Sequence, residues 1–219
     1  MKILYEDNHL LVALKPANMP VQADASRDQD LLSELKGYIK LKYQKPGAVY
    51  LGLVHRLDRP VAGLVAFART SKAAARLSAQ LQRHEMGREY LCVVRGIAPK
   101  GGSAEHYLLK DEKTNTSSVV TAQTPGAKRA ELDFERLGSC DGLSLLSVRL
   151  KTGRSHQIRV QMKALGFPLW GDSRYGGGRP GEPIALYAYR LRLKHPVTGE
   201  ELHLEAPPPE SFPFSKFQY

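Results

Sequence analysis

Cysteine and long apolar runs are both scarce in this chain of 219 residues. The two cysteines, Cys92 and Cys140, lie far apart without CxxC spacing, which excludes a disulfide scaffold and a cysteine-based zinc site. Val61–Ala68, among the longest mostly apolar runs, has about eight residues, whereas a membrane helix needs roughly 20. Residues 1–15 mix charged and apolar side chains and lack the apolar core of a secretion signal. We therefore expect a cytoplasmic protein with no membrane partner.

Several catalytic signatures are missing as well. The sequence contains no Walker A, GxGxxG or GxSxG pattern and no His/Cys/Asp cluster with metal-ligand spacing. Nucleotide cradling, serine hydrolysis and metal catalysis therefore have no motif to support them. We expect an activity that requires neither a metal nor another cofactor.

Positive charge is abundant. Lysine and arginine number 32 against 22 acidic residues, which gives a net charge of +10, while 42% of residues are hydrophobic and 25% are charged. These proportions are typical of a globular protein and exclude a disordered basic tail. The excess of cations indicates a polyanionic partner, either nucleic acid or an anionic membrane surface, unless the charge serves only solubility.

Strand-like segments outnumber helical ones, and the two types do not alternate regularly. This order predicts an α+β fold with a mainly antiparallel central sheet, flanking helices and loops. No long linker or internal repeat interrupts the chain, so we expect one domain over residues 1–219. The predicted strands are Ile3–Tyr5, Leu10–Leu14, Gly63–Ala68, Tyr90–Arg95, Ala130–Leu137, Leu143–Leu150, Leu186–Lys194 and Glu201–Glu205, and the predicted helices are Asp30–Tyr43, Lys72–Glu85 (after Ser71 as cap) and Ser155–Leu165.

An HRLD motif at residues 55–58 precedes a buried strand and places Asp58 between Arg56 and Arg59. Such an aspartate usually forms a surface ion pair or a turn. Alternatively, nearby positive charge lowers the pKa of a carboxyl group by about 1–3 units. Asp58 would then stay ionised and could serve as nucleophile or base.

A second dense motif, TGRSHQIR, occupies residues 152–159 and begins the third predicted helix. Ile158 and Met162 are predicted to face the core, with Arg159 on another face. Hydroxyl and basic side chains around a helix N-terminus suit phosphate or carboxylate binding, although a solvated basic helix face is the simpler interpretation. Tyr90, on a predicted strand, either packs in the core or stacks on a base beside a basic groove.

Taken together and in this order, these motifs resemble the RluA family of RNA pseudouridine synthases over most of the chain. HRLD alone is a weak signal, but HRLD followed about 100 residues later by TGRSHQIR is highly specific. The other matching segments are residues 5–16, residues 63–68, the RxY strand at 88–90, and the series Gly166, Pro168, Gly171, Asp172, Tyr175 and Gly176.

The resemblance implies that the protein isomerises uridine to pseudouridine in structured ribosomal or transfer RNA, as a monomer without a separate N-terminal RNA-binding domain. It implies Asp58 as the catalytic aspartate and Arg159 as the arginine that pairs with it. It also implies that Tyr90 stacks on the target base, Leu186 packs near that base, and Arg56 enters the RNA where the uridine leaves. The remaining substrate-binding residues that it implies are His55, Arg154, His156 and Gln157.

Elementary energetics agree with these roles. A base inside folded RNA must be flipped out to meet a carboxylate, at a cost of a few kcal/mol, and stacking on a tyrosine returns about 1–3 kcal/mol.

The chain departs from the family pattern at four places, which concern substrate preference more than activity. These are Val61-Ala62 for Thr-Ser, Asn18 for glycine, and Gln161 and Tyr187 for histidines.

Two other functions remain open from the sequence. One is a catalytically idle RNA-binding or RNA-chaperone protein of the same fold, which the substitutions at Val61 and Ala62 encourage. The other is a carboxylate-based glycosidase, which needs a second acid opposite the first. Asp172 is the candidate for that second acid, although in the family motif it is structural.

Overall fold

Apolar and polar residues alternate in segments 130–135, 190–194 and 201–205, which is typical of strands with one buried face, whereas segments 10–14 and 64–68 are apolar throughout, which is typical of strands buried on both faces. The computed structural model describes residues 2–179 and 182–218. Its strands are β1 (Lys2–Glu6), β2 (Leu10–Lys15), β3 (Gly52–Leu53), β4 (Ala62–Ala68), β5 (Gly87–Arg95), β6 (Gly101–Asp111), β7 (Thr116–Val120), β8 (Lys128–Cys140), β9 (Leu143–Leu150), β10 (Leu186–Lys194) and β11 (Glu201–Glu205). Its helices are α1 (Leu31–Lys42), α2 (Ser71–Gln82) and α3 (Gln157–Ala164), with a short 3-10 helix at Phe214–Lys216.

The chain divides into two compact units, and each unit is built from two separate stretches. The first contains residues 2–87 and 190–206, and the second contains residues 88–189 and 207–218. Two of the dividing points fall within β5 and β10, so no flexible linker marks them. The single catalytic domain expected from the sequence stays a prediction.

In the first unit the strand order is β1-β2-β4-β10, with β3 paired to β4 and β11 paired to β10. The pairing of β2 with β4 is antiparallel and aligns Leu10 with Ala68. Helix α2 contributes Ala73 and Leu77 to the apolar core that β2 and β4 line. Because β4 is fixed in this core, the HRLD loop that precedes it is held in place as well.

In the second unit the order is β10-β5-β9-β8-β6-β7. The pairings of β5 with β9, β9 with β8, β8 with β6, and β6 with β7 are all antiparallel. Helix α3 packs on this sheet through Val160, which meets Leu108 of β6 and Ala130 of β8. The predicted α+β fold with a mainly antiparallel sheet is therefore confirmed.

Helix starts differ from the predictions in two places. The N-cap of α2 is Thr70, whose hydroxyl accepts a hydrogen bond from the N–H of Ala73, so the predicted cap at Ser71 is wrong. Helix α3 begins at Gln157 rather than Ser155, because His156 adopts a left-handed conformation with φ 54°. All residues from Gln157 to Met162 are buried, so the simpler interpretation of this motif as a solvated basic helix face is wrong.

Candidate active site

The HRLD loop is anchored from both ends. The His55 ring is buried, and its Nε2 accepts a hydrogen bond from the backbone N–H of Ala66 in β4 at 3.1 Å. Leu57 is buried as well. The N–H of Val61 donates to the carbonyl of Asp58 at 3.0 Å and closes a turn. Asp58 is thus half-buried on a loop that the buried side chains of His55 and Leu57 hold in place, whereas the side chains of Arg56 and Arg59 are exposed.

A lysine that the motifs did not indicate fixes this loop from inside the protein. Lys15, the last residue of β2, is fully buried. Its Nζ donates hydrogen bonds to the carbonyls of Pro16 at 2.8 Å, Met19 at 2.7 Å and Arg59 at 2.9 Å. One ammonium group therefore joins the segment after β2 to the residue that follows Asp58.

The charge of Lys15 is coupled to that of Asp58. Burial lowers the pKa of Lys15 to about 7, the negative charge of Asp58 opposes this shift, and the positive charge of Arg59 adds to it. The two side chains are therefore close enough to interact electrostatically. When it is protonated, Lys15 places a buried positive charge near Asp58 within the first unit.

The two arginines that flank Asp58 have different surroundings. Arg59 pairs with Asp28, lies 3.8 Å from Asp24, and donates to the hydroxyl of Ser26 at 2.9 Å. Arg56 is exposed, and the described part of the chain offers it no ion pair. Arg56 is therefore available to an approaching ligand, whereas Arg59 ties the loop to residues 24–28.

Arg159 occupies a buried site in the second unit and pairs with Asp172. Its Nε donates to Oδ2 and its Nη2 to Oδ1, both at 2.8 Å, and the two side chains are 5% and 0% exposed. The guanidinium carbon also lies 5.0 Å from the centre of the Tyr175 ring. This bidentate pair fixes the plane of the guanidinium group.

The surroundings of Asp172 favour its ionised form. Burial raises its pKa, but the hydrogen bonds and charge of Arg159 outweigh burial, and the backbone N–H groups of Tyr175 and Arg174 add to the lowering. The net pKa lies below its ordinary value. A glycosidase would need a protonated acid at this position, so Asp172 does not fit that alternative.

The TGRSHQIR turn is locked by side-chain hydrogen bonds. Oε1 of Gln157 accepts from the Thr152 hydroxyl at 2.7 Å and from the N–H of Arg154 at 2.9 Å, while its Nε2 donates to the carbonyl of Glu131 at 2.9 Å. His156 shares a 2.8 Å hydrogen bond between its Nδ1 and the Tyr175 hydroxyl. A left-handed non-glycine residue costs of order 1–3 kcal/mol and persists only where the surroundings fix it. The turn before α3 is therefore rigid.

The two apolar candidates lie on strands of the second unit. Tyr90 of β5 stands opposite Val148 of β9 and is 6% exposed. Leu186 is the first residue of β10 and is 4% exposed. Both are therefore held by the sheet and not by a mobile loop.

The predicted site residues are divided between the units. The first unit contains His55, Arg56 and Asp58, and the second contains Tyr90, Arg154, His156, Gln157, Arg159 and Leu186. Within the second unit, the structure joins Gln157 to Arg154 directly, and it joins His156 to Arg159 through Tyr175. The sequence analysis assigned no role to Lys15 or Tyr175, although both lie in segments that match the family motifs.

Residues 2–179 and 182–218 contain no group of three or more His, Cys, Asp or Glu side chains arranged to hold a metal ion. Within those ranges, no helix combines the length and the apolar character needed to span a bilayer.

Known proteins similar to this chain share one activity in their names. Residues 9–164 match the family model for RNA pseudouridylate synthases. A ribosomal large subunit pseudouridine synthase D from Haemophilus influenzae is 34% identical, over 97% of this chain and 68% of its own length. The uncharacterized RNA pseudouridine synthase YhcT from Bacillus subtilis is 36% identical, over 95% of this chain and 69% of its own length. The solved structure of human RNA pseudouridylate synthase domain containing 4 matches with a TM-score of 0.79 at 22% identity, over 94% of this chain and 88% of that chain, which shows a shared fold.

Proposed function

Because the chain belongs to the RluA family of RNA pseudouridine synthases, isomerases that convert uridine in RNA to pseudouridine, we propose that its substrate is ribosomal RNA and that Asp58 is its catalytic aspartate. The observation that carries this proposal is the family match over residues 9–164, which includes Asp58, Tyr90 and Arg159. The relative from Haemophilus influenzae is named for the large ribosomal subunit, which supports ribosomal over transfer RNA. A ribosomal RNA substrate also favours the cytoplasm as the site of action.

The environment of Asp58 supports its role. Its loop is fixed by the His55–Ala66 hydrogen bond and by the contact of Lys15 with the Arg59 carbonyl. Preorganisation of this kind lets a carboxylate meet the reacting sugar or base without reorganising at the moment of reaction. His55 is buried and acts as a positioning residue, because its ring nitrogen already bonds to the backbone of β4.

Base flipping follows from the same set of residues. The exposed Arg56 fills the gap that the uridine leaves, while Tyr90 stacks on the extruded base and Leu186 packs beside it. Arg159, held by Asp172, pairs with Asp58. Arg154, His156 and Gln157 shape the turn that meets the RNA. Stacking of about 1–3 kcal/mol offsets most of the cost of unstacking the uridine.

The test is tritium release from RNA that carries uridine labelled at carbon five and was made without this enzyme. Ribosomal and transfer RNA fractions are assayed separately with the wild type and with Asp58→Asn, which keeps the shape of the side chain. Asp133→Asn is the matched control, because Asp133 pairs with Lys151 at the surface. We expect release from ribosomal RNA with the wild type and the control, and none with Asp58→Asn.

Three results would contradict parts of this proposal. Release by Asp58→Asn at the wild-type rate would remove Asp58 from the catalytic role. Release from transfer RNA alone would replace the substrate. Failure of the wild type on both fractions, with RNA binding intact, would favour the idle RNA-binding protein. Size-exclusion chromatography with light scattering tests the proposed monomer, and a dimer mass would contradict it.

A further inference from the structure

A basic depression lies in the second unit, and Arg154 is the only one of the predicted site residues in its lining. Its volume is about 270 Å³, and it is open to solvent at the edge of the sheet. Neither Asp58, Tyr90 nor Arg159 lines it. Its lining residues are Leu108, Leu109, Lys110, Glu112, Ser117, Gly126, Lys128, Gly153, Arg154 and Ser155.

The strand register places its two lysines on one face. Lys128 of β8 stands opposite Leu108 of β6, and directly paired residues point to the same face of a sheet. Lys110 lies two residues beyond Leu108 and therefore shares that face. Lys110 and Lys128 are thus diagonal neighbours, whose Cα atoms are about 7–8 Å apart in such a pairing. Leu108 contacts Val160, so this is also the face on which α3 packs.

Arg154 completes the basic lining from the TGRSHQIR turn. Its Nε donates to the carbonyl of Arg129 at 2.8 Å, which anchors the side chain of this exposed residue. The turn itself is fixed by the bonds of Gln157 to Thr152 and Glu131. An anchored cation on a rigid turn loses little conformational entropy when it binds an anion.

The negative charge in the depression is weak. Glu112 pairs with Lys110 at 2.5 Å, but its side chain is 79% exposed, and exposed ion pairs contribute little. Among the described residues, no acidic side chain pairs with Lys128. Three cations, two hydroxyl groups and one displaceable carboxylate form a lining of the kind that contacts the sugar-phosphate backbone of nucleic acids.

We propose that this depression binds the RNA backbone, with Lys110, Lys128 and Arg154 contacting phosphate oxygens. The inference rests on the proposed function, because an RNA substrate supplies the polyanion. It adds Lys110 and Lys128 to the RNA-binding surface. Such contacts give affinity and register without reading sequence, so they extend the footprint of the enzyme on structured RNA.

The experiment measures RNA affinity as a function of salt. The probe is a fluorescently labelled in vitro transcript of large-subunit ribosomal RNA, and the dissociation constant is determined from 50 to 200 mM KCl for the wild type, Lys128→Gln and the double variant Lys110→Gln/Lys128→Gln. Each lost phosphate contact lowers the slope of log K against log salt by about 0.7–0.9. We expect one such decrement for Lys128→Gln and about twice that for the double variant.

Two matched variants separate a local contact from net charge. Lys100→Gln removes the same charge next to the opposite end of β6, about 30 Å away along the strand, and is expected to keep the wild-type slope. Lys128→Arg keeps the charge and is expected to keep it too. Wild-type slopes in Lys128→Gln and in the double variant would overturn the proposal, as would an equal decrement in Lys100→Gln.

Pseudouridine formation in the same transcript is measured in parallel and tests the proposed function separately. An active wild type whose lysine variants keep the wild-type salt slope would refute only the backbone site. If the wild type is inactive but the lysine variants show the expected decrease in salt slope, the ribosomal substrate is refuted and the backbone site is supported.

Discussion

Loss of either partner of the buried Arg159–Asp172 pair is expected to destabilise the second unit strongly. Arg159→Met keeps much of the side-chain volume but leaves the carboxylate with only the backbone N–H groups of Arg174 and Tyr175. Removing one partner of a buried ion pair costs about 3–5 kcal/mol. Two charge-assisted hydrogen bonds at 2.8 Å, each contributing about 1.5–3 kcal/mol, give the same range.

A double-mutant cycle isolates the pair from the other contacts of each residue. Arg159→Met, Asp172→Asn and the double variant are unfolded with urea. The double variant removes both charges, so it is expected to be more stable than additivity of the single variants predicts, by about 2–3 kcal/mol. Trp170, the single tryptophan, lies two residues from Asp172 and reports the second unit by fluorescence, while circular dichroism reports the whole chain.

The pH dependence gives an independent check with a definite sign. The pKa of Asp172 is lowered in the folded state, so the unfolded state binds more protons when the pH falls below about 4, the ordinary pKa of this carboxyl group. The contribution of Asp172 to stability is therefore full above that pH and is lost as the pH falls through the folded pKa. The stability gap between the wild type and Asp172→Asn is expected to narrow only in acid.

Asp133→Asn serves as the control, since Asp133 and Lys151 form an exposed pair at 2.8 Å that is worth about 0–1 kcal/mol. A cost below about 1 kcal/mol for Arg159→Met would refute the reasoning, because it would match an exposed pair. Additive single costs in the cycle would do the same.

Two further predictions concern the segments that hold the candidate site. Lys15→Met removes the group that donates hydrogen bonds to three carbonyls, so we expect reduced stability and reduced turnover. Wild-type stability should also rise from about pH 7 towards pH 10, because the pKa of Lys15 is lower in the folded state than in the unfolded state. Persistence of that rise in the variant would exclude Lys15 as its source. Gly171→Ala and Gly177→Ala both strain a positive φ, near +71° and +73°, but only the first places a Cβ 2.4 Å from the Pro183 carbonyl oxygen. Thermal unfolding should therefore show a clearly larger loss for Gly171→Ala than for Gly177→Ala, and equal losses would contradict the close approach.

Strands whose own residues dictate their burial could be predicted from the sequence. The bounds of β9 and β10 agree with the prediction. The apolar run in β9 indicates a buried strand, and the alternation of leucines with Arg190 and Arg192 in β10 indicates which face of that strand is buried. Strands β6 and β7 were not predicted. Glycines such as Gly101 and Gly102 disfavour a strand, and most residues of β6 are exposed or half-buried, so its strand form depends on pairing with β7 and β8.

The start of α3 shows a different limit. Sequence spacing favoured Ser155 as the first residue, but His156 takes a left-handed conformation that its bond to Tyr175, 19 residues later, helps to hold. Lys15 is a parallel case, since a lysine at a strand end normally indicates a surface position. Its burial depends on carbonyls that include that of Arg59, 44 residues away. Hydrogen bonds between distant segments of the chain decide both cases.

The TGRSHQIR motif drew attention to Arg159, but the residue that orients it lies outside the motif. A guanidinium group has five N–H donors in a rigid fork, and Asp172 takes two of them in a plane fixed by both carboxylate oxygens. Asp172 thus fixes the direction of the buried Arg159 side chain from outside the TGRSHQIR motif.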